Sequence, residues 1–385
     1  MKIGILTFHR PINYGAYLQA FSLQDRLKEY LREATIEIVD YIAPKERKKI
    51  WINVLWGIKH YGVKNGIKDI QKIKAFRKSY NFLPLSESIF TSNLKKLYEY
   101  IDEKYDLLII GSDAVFNWKQ NGYPTAFIPN YSFRHCKIIT YAASVHGMKF
   151  LEESQERIKE CHNAFSRMEY IGVRDTCTEH FVKYCLHEAE PIHCCDPTVV
   201  IDINKVKMVS SHFSERIKTK YGCDLNKKYI VLMLPDGRVS KKIREVYSGE
   251  YQIITLFKPS EDADYYLYDL NPFEWTRVLS MAALVITSYF HGALLSLKQS
   301  IPVIVVDYSN YNNPYEGKLK DLMERRFCLK ELYFDSNKVE NEEECNKLLE
   351  IAENAINGLF LNQINKSIAR EGEYFKNFVE LIEEL

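Results

Sequence analysis

Short β-branched runs alternate with amphipathic helices through most of this chain, and that alternation restricts the fold more than any other feature. Strands are expected at Ile3–Thr7, Ile36–Asp40, Asp106–Ile110, Lys137–Ala142 and Tyr170–Val173. A second series follows at Tyr229–Leu234, Gln252–Phe257, Leu284–Thr287 and Val303–Val306. Between them lie helical patterns such as Ala16–Glu33, where Leu18, Phe21, Leu23, Leu27 and Leu31 recur at helical spacing. Continuous apolar strands flanked by helices predict parallel sheets covered on both faces. The strand series breaks over 203–226, a charged and helical stretch. With 385 residues, the chain divides there into two α/β domains, 1–205 and 206–385, facing one another across a cleft.

Charge and cysteine content narrow the function classes. A formal charge of +1 lacks the electrostatic footprint of a dedicated nucleic-acid binder. Nine cysteines, an odd number with no CxxC pair, point to a reduced, cytoplasmic setting. His193, Cys194 and Cys195 fall on an expected strand whose neighbours face opposite sides, so they read as core and surface and no metal site is expected. The chain starts directly on a strand, without a basic-then-apolar leader. No apolar run reaches the roughly 20 residues needed to span a bilayer. The segment 45–78, part of a helical insertion at 45–80, is strongly basic and carries Trp51 and Trp56. It reads either as a solvated basic face with both tryptophans in the core, or as a peripheral contact with the anionic inner face of the plasma membrane.

Chemistry-bearing residues collect where strands hand over to helices, the edge at which open parallel sheets bind ligands. After the first strand comes Asn13-Tyr14-Gly15, where Asn13 can cap the next helix or bond a hydroxyl, and Gly15 permits close backbone approach. After the third comes Gly111-Ser112-Asp113, whose carboxylate can cap a helix or accept a proton from a sugar hydroxyl. The next ends in Ser144-Val145-His146, small residues beside a histidine that is either structural or a proton carrier. Arg174-Asp175 ends another, suited to phosphate or carboxylate capture or to a salt bridge with Asp175 or Glu179. In the second series, Ser288-Tyr289-Phe290-His291-Gly292 opens a helix whose free N–H groups suit an anion.

Taken in order, Asn13-Tyr14-Gly15-Ala16 with Leu18-Gln19-Ala20, Gly111-Ser112-Asp113, Tyr141-Ala142-Ala143-Ser144, Gly172-Val173-Arg174-Asp175, Asp196-Pro197-Thr198 and Ser288-Tyr289-Phe290-His291-Gly292 form a set that resembles the polysaccharide pyruvyl transferase family over roughly residues 1–310. The resemblance implies a GT-B-like fold of two Rossmann-like domains, with the last helix, 367–385, packing back on the first. It implies transfer of a pyruvyl group from phosphoenolpyruvate, a co-substrate used without a bound cofactor. The acceptor would be two hydroxyls of a sugar or lipid-linked oligosaccharide in a surface-glycan precursor, giving a cyclic ketal. By resemblance His291 and Asp113 are catalytic. Arg174, with Ser288, Tyr289 and Gly292, binds the donor. Asn13, Tyr14, Gly15, Ser112, Ser144 and His146 line the acceptor side.

One departure bears on the donor. Sugar-pyruvylating members often carry Arg-Leu-His where this chain has Tyr289-Phe290-His291, so a cation is missing. Arg238 and Lys258, each just past a strand, are the expected replacements, unless they are ordinary surface residues. A GT-B-type glycosyltransferase using a nucleotide sugar is the alternative function, and a noncatalytic glycan-binding protein a third.

Overall fold

A computed structural model describes residues 1–43, 52, 55, 58–60, 62–202, 209–256, 258–308 and 317–385. In the first lobe the strands are β1 (Lys2–Leu6), β2 (Thr35–Ile38), β3 (Tyr41–Ile42), β4 (Ile89–Phe90), β5 (Leu107–Ile110), β6 (Lys137–Ala143), β7 (Tyr170–Val173) and β8 (Ile192–His193). Six of them form one sheet in the order β2-β1-β5-β6-β7-β8, while β3 and β4 pair separately. The second lobe holds β9 (Tyr229–Met233), β10 (Gln252–Thr255), β11 (Tyr265–Tyr266), β12 (Leu284–Thr287), β13 (Val303–Asp307) and β14 (Tyr333–Asp335), in the order β11-β10-β9-β12-β13-β14.

Every pairing in both sheets is parallel. β5, β9, β12 and β13 are buried at every position, as expected of strands covered by helices on both faces. In each sheet the strand order reverses beside the first strand, β1 or β9, which opens a crevice at the C-terminal strand ends. The strands that periodicity did not predict are those of two or three residues, too short to show a pattern. One expectation fails at β8. That strand stops at His193, so the next two residues do not alternate, and Cys194 and Cys195 are both fully buried.

Aromatic packing joins the lobes. Tyr17 and Phe21, on the Tyr14–Tyr30 helix, meet Phe273 edge-on at 5.9 and 5.0 Å between ring centroids. Pairs of this kind are worth about 0.5–1.5 kcal/mol each beyond their buried area. The C-terminal helix, Leu361–Glu383, starts before the expected 367 and crosses to the first lobe. Its Phe375 and Phe378 pack on Tyr141 at 5.9 and 4.4 Å. Glu371 on the same helix takes two hydrogen bonds from buried Arg326 Nε, at 3.0 and 3.1 Å, and Arg326 also donates to the Cys194 carbonyl.

The basic insertion contributes the Val63–Lys78 helix, which buries Ile73 and Phe76. Trp51 and Trp56 lie outside the described residues. No helix among the described residues is long and apolar enough to cross a membrane.

Candidate active site

Four strand ends of the first sheet bring their following residues to one edge. β5 runs into Gly111, at a φ of 125° where a Cβ would lie 2.1 Å from the Tyr141 carbonyl oxygen, so only glycine fits. A cis peptide links Gly111 to Ser112. Asp113 follows with a φ of 78°, a conformation that costs a non-glycine residue on the order of 1–3 kcal/mol. Its carbonyl is held by the amides of Val115 (2.7 Å) and Ser144 (2.9 Å), and its carboxylate caps no described helix.

β6 leads to Ser144, whose hydroxyl donates to Asp175 Oδ2 (2.6 Å) and accepts from the His146 amide (3.0 Å). Asp175 is the N-cap of the Thr176–Cys185 helix, taking the Thr178 amide and hydroxyl on its other oxygen at 2.9 and 2.6 Å. Ser144 and Asp175 are therefore saturated by each other and by the chain, and they fix the loops that carry His146 and Arg174.

Arg174, first residue after β7, is 4% exposed and forms neither of the expected salt bridges. Its Nη1 donates to Asp196 Oδ2 at 3.0 Å, and its Nη2 lies 3.6 Å from Asp113 Oδ1. Asp196 closes the arrangement. One of its oxygens accepts from the Thr198 amide (3.0 Å) and hydroxyl (2.7 Å). The other faces Arg174, the Gln19 amide group and, at 3.5 Å, His291 Nε2 from the second lobe. Burial alone would raise the Asp196 pKa, but His291, Arg174 and Thr198 hold it well below the usual carboxylate range. Asp113 behaves alike: burial is outweighed by Arg174, Lys318 and His291, and its pKa falls. Both carboxylates stay ionised at neutral pH, and they keep Arg174 charged although it is buried.

His291 comes from the Phe290–Lys298 helix after β12. Its ring packs directly on the first lobe, since a Cβ on Gly15 would lie 2.0 Å from His291 Nδ1. Gly15 thus serves the site by making room for the histidine. Phe290 beside it presents its ring to two cations, the Arg174 guanidinium at 4.8 Å and the Lys318 ammonium at 5.5 Å from the centroid. Lys318 follows β13 and, with Arg174, Asp196 and Phe290, lines a cavity of about 20 Å³. Burial and Arg174 push its pKa down to about 8 against the opposing pull of Asp113, Asp175 and Asp196. Burial, Lys318 and Arg174 push His146 down to about 3, so its ring is neutral at neutral pH. The cavity has room for little more than one water. A three-carbon phosphate would have to displace Phe290 and Lys318 or part the lobes.

Several expected residues do other work. Asn13 caps its helix, accepting the Ala16 amide at 3.2 Å. Tyr14 is buried against Phe76 and Trp275 and donates to the Leu270 carbonyl at 2.9 Å, so it holds the lobes together and does not line a sugar site. Gly292 allows its helix to approach β12, for a Cβ there would meet Thr287 Oγ1 at 2.7 Å. Ser288 donates weakly to the Met233 carbonyl at 3.3 Å. Burial raises the pKa of Tyr289, which therefore brings no charge to the position of the missing arginine.

Neither expected replacement reaches the cavity. Arg238 is solvent-facing, 3.9 Å from Glu340, and Lys258 is exposed. Three site residues went unassigned by sequence reasoning. Asp196 and Phe290 stood inside quoted motifs, and the Asp-Pro-Thr spacing matches the capping seen here. Lys318 carried no signal, being remote from any strand end or repeat. Among the described residues no His/Cys/Asp/Glu group is arranged to hold a metal.

Two α/β lobes with facing strand ends and a charged cleft define a GT-B-like protein, and solved structures agree. UDP-GlcNAc 2-epimerase from Neisseria meningitidis, bound to UDP-GlcNAc, is similar over 100% of both chains with a TM-score of 0.59 at 10% identity. The Methanocaldococcus jannaschii UDP-GlcNAc 2-epimerase is similar over 93% of each chain (TM-score 0.51, 11% identity), and Anabaena HepE in complex with UDP over 100% of each (0.51, 12%). At such identities the likeness speaks for the fold alone. A comparison with curated proteins gave no significant match. The sequence model of polysaccharide pyruvyl transferases matches residues 13–310, and the chain belongs to that family.

Proposed function

We propose that this protein transfers the pyruvyl group of phosphoenolpyruvate to two hydroxyls of a sugar in a surface-glycan precursor, forming a cyclic ketal. The observation that carries the proposal is a set of unsatisfied buried polar atoms. Arg174 Nε and Nη2, His146 Nδ1, His291 Nε2 and Ser112 Oγ have no hydrogen-bond partner among the described residues. Leaving such a group unpaired costs roughly 1–3 kcal/mol, more for a charged one. A ligand can complete such groups, and a guanidinium whose Nε and Nη2 make no hydrogen bond suits a carboxylate or phosphate.

In this reading the donor's C3 methylene takes a proton and a sugar hydroxyl oxygen bonds to C2. Phosphate then leaves with the C2–O electron pair, and the second hydroxyl closes the ketal. His291, which touches both lobes, is assigned the proton transfers. Ionised Asp113 orients the attacking hydroxyl, and Arg174 holds the donor. The chemistry calls for no bound cofactor.

The reading extends to location, a cytoplasmic protein peripheral to the inner face of the plasma membrane. The insertion exposes Leu55 and Val63 at 66% each and Ile67 at 50%, close in sequence to Lys59 and Lys64. Apolar side chains beside lysines suit an anionic lipid surface carrying a lipid-linked acceptor.

Thermal unfolding with phosphoenolpyruvate and a panel of nucleotide sugars tests the donor, since a ligand of the native state raises the melting temperature. Stabilisation by phosphoenolpyruvate is expected. Stabilisation by nucleotide sugars alone would sink the proposal in favour of a glycosyltransferase. His291→Ala should stay folded and lose at least about 100-fold in acceptor-dependent phosphate release. Unchanged turnover would remove His291 from the mechanism.

A further inference from the structure

We propose that lysines of the insertion helix and tyrosines of the second lobe form an acceptor subsite that takes a glycosyl diphosphate. The sugar would then enter the cleft still esterified through its anomeric carbon. The inference deepens the function proposed above and rests on it for the role of acceptor.

The residues come together from elements that share no motif. Lys68 and Lys72 stand about one turn apart on the Val63–Lys78 helix. The Lys68 ammonium lies 5.7 Å from the ring centroids of both Tyr266 and Tyr268, which are 5.5 Å from each other. Lys72 lies 5.8 Å from the Tyr14 ring. Lys258, just past β10, is near enough to act on Lys72. Burial lowers the Lys72 pKa, Asp69 opposes that, and Lys258 adds to it. Burial likewise raises the Tyr266 pKa, with Asp69, Tyr268 and Tyr289 adding to it. Tyr266, Lys258 and Tyr289 thus mark the C-terminal ends of β11, β10 and β12, the edge of a parallel sheet that binds ligands. The catalytic cleft adjoins them. Tyr14 precedes Gly15, which abuts His291, and Tyr289 lies on the same turn as that histidine.

Charge sets this cluster apart from its surroundings. Lys220 lies 4.9 Å from the Tyr268 ring but is paired with Asp269 at 2.6 Å. Arg216 is paired with Asp269 and Glu274 at 3.2 and 2.9 Å. By contrast, Lys68 and Lys258 make no ion pair among the described residues. The carboxylate that bears on the cluster is Asp69, set against Lys68, Lys72 and Lys258. The excess is positive, and a diphosphate ester matches it with both of its phosphates.

The residue types divide the ligand between them. An ammonium is a compact point charge suited to phosphate. A tyrosine ring offers a pyranose an apolar face with a hydroxyl at its rim. Tyr289, 36% exposed, and Tyr266 are placed to take the sugar, and the three lysines the diphosphate. A free sugar would leave the lysines unmatched. Glycosyl diphosphates carry either a polyprenyl tail or a nucleoside, and the subsite reads the part that both share.

The test is calorimetry with the farnesyl diphosphate and UDP esters of glucose, galactose and N-acetylglucosamine, and with the three free sugars. Phosphoenolpyruvate is titrated separately. At least one ester should bind at least about tenfold more tightly than its free sugar. K68M/K258M should erase that margin and K68R/K258R restore most of it, both with phosphoenolpyruvate affinity at the wild-type level. A tighter farnesyl ester identifies a lipid-linked acceptor, and a tighter UDP ester a nucleotide-linked one. Esters that bind no better than free sugars, or keep wild-type affinity in K68M/K258M, overturn the subsite and leave the donor reading standing. A wild type that binds the esters but ignores phosphoenolpyruvate keeps the subsite and overturns the donor reading. If K68M/K258M does not fold, Lys258→Met at its exposed position decides: an unchanged margin overturns the subsite.

Discussion

On the first-lobe wall of the cleft, Asp113, Arg174 and Asp196 follow closely on β5, β7 and β8, and dedicated partners such as Thr198 and Gln19 hold them. On the second-lobe wall, His291 and Lys318 are held more by apposition, against Gly15, the Asp196 carboxylate and the Phe290 ring. The first wall is part of the sheet scaffold and should persist whatever the second lobe does. In the second, His291 takes its place from contacts across the lobes, with Gly15 and Asp196. In the proposed reaction the anion-binding wall is built within one lobe, whereas the proton-transfer residue takes its place across the lobes.

The largest effect should come from cutting the first wall at its centre. Arg174→Met keeps the side-chain volume but leaves Asp113 and Asp196 without their shared cation. Breaking a buried pair this way costs about 3–5 kcal/mol, which urea unfolding would register. The same ion pairing predicts a response to acid. Asp196 has a folded-state pKa below its unfolded one, so its stabilisation is present above about pH 4 and is lost as pH falls through the folded value. Asp196→Asn should flatten that acid limb. A variant with Met at 174 as stable as the wild type would mean that the first wall is not the scaffold described here.

A smaller effect is expected where the walls touch. Alanine at Gly15 places a methyl group on the His291 ring, and such overpacking typically costs about 1–3 kcal/mol. The ring or the lobes must move. Gly15→Ala should therefore lose turnover while phosphoenolpyruvate binding through Arg174 changes little, as paired kinetics and calorimetry would show. Equal loss of binding and turnover would erase the distinction between a preorganised wall and an apposed one.

That distinction also governs what the sequence discloses. Each nine-strand expectation rested on apolar runs that parallel sheets require, and the structure has a strand at all nine, within one or two residues at the ends. Arg174 and Asp113 were visible because strand ends announce themselves by a change from apolar to polar. Whether Asn13 capped or bound a ligand was not legible, because one side-chain oxygen serves both uses. Tyr14 misled for a related reason: a motif residue can matter through packing between lobes. Lys318 was invisible, since its neighbours Phe290 and Arg174 are remote in sequence and Arg174 meets it only across the lobes. Arg238 and Lys258 had the right local pattern, but both side chains are exposed and neither lines the cavity that Lys318 lines.

The smallest effect on stability should come from the insertion, which stands outside both walls. Val63 and Ile67 lie one helical turn apart on the Val63–Lys78 helix and are exposed, so each aspartate substitution should change stability by no more than about 0.5 kcal/mol. Their effect on lipid should be far greater, because a carboxylate opposes both apolar insertion and attraction to anionic headgroups. Co-sedimentation with phosphatidylglycerol vesicles should fall sharply in V63D/I67D, while phosphoenolpyruvate binding at Arg174 stays at the wild-type level. If vesicle binding survives the double substitution, the lysines act without apolar contact. If the wild type does not sediment at all, the acceptor reaches the cleft from solution and the basic helix is an ordinary solvated face.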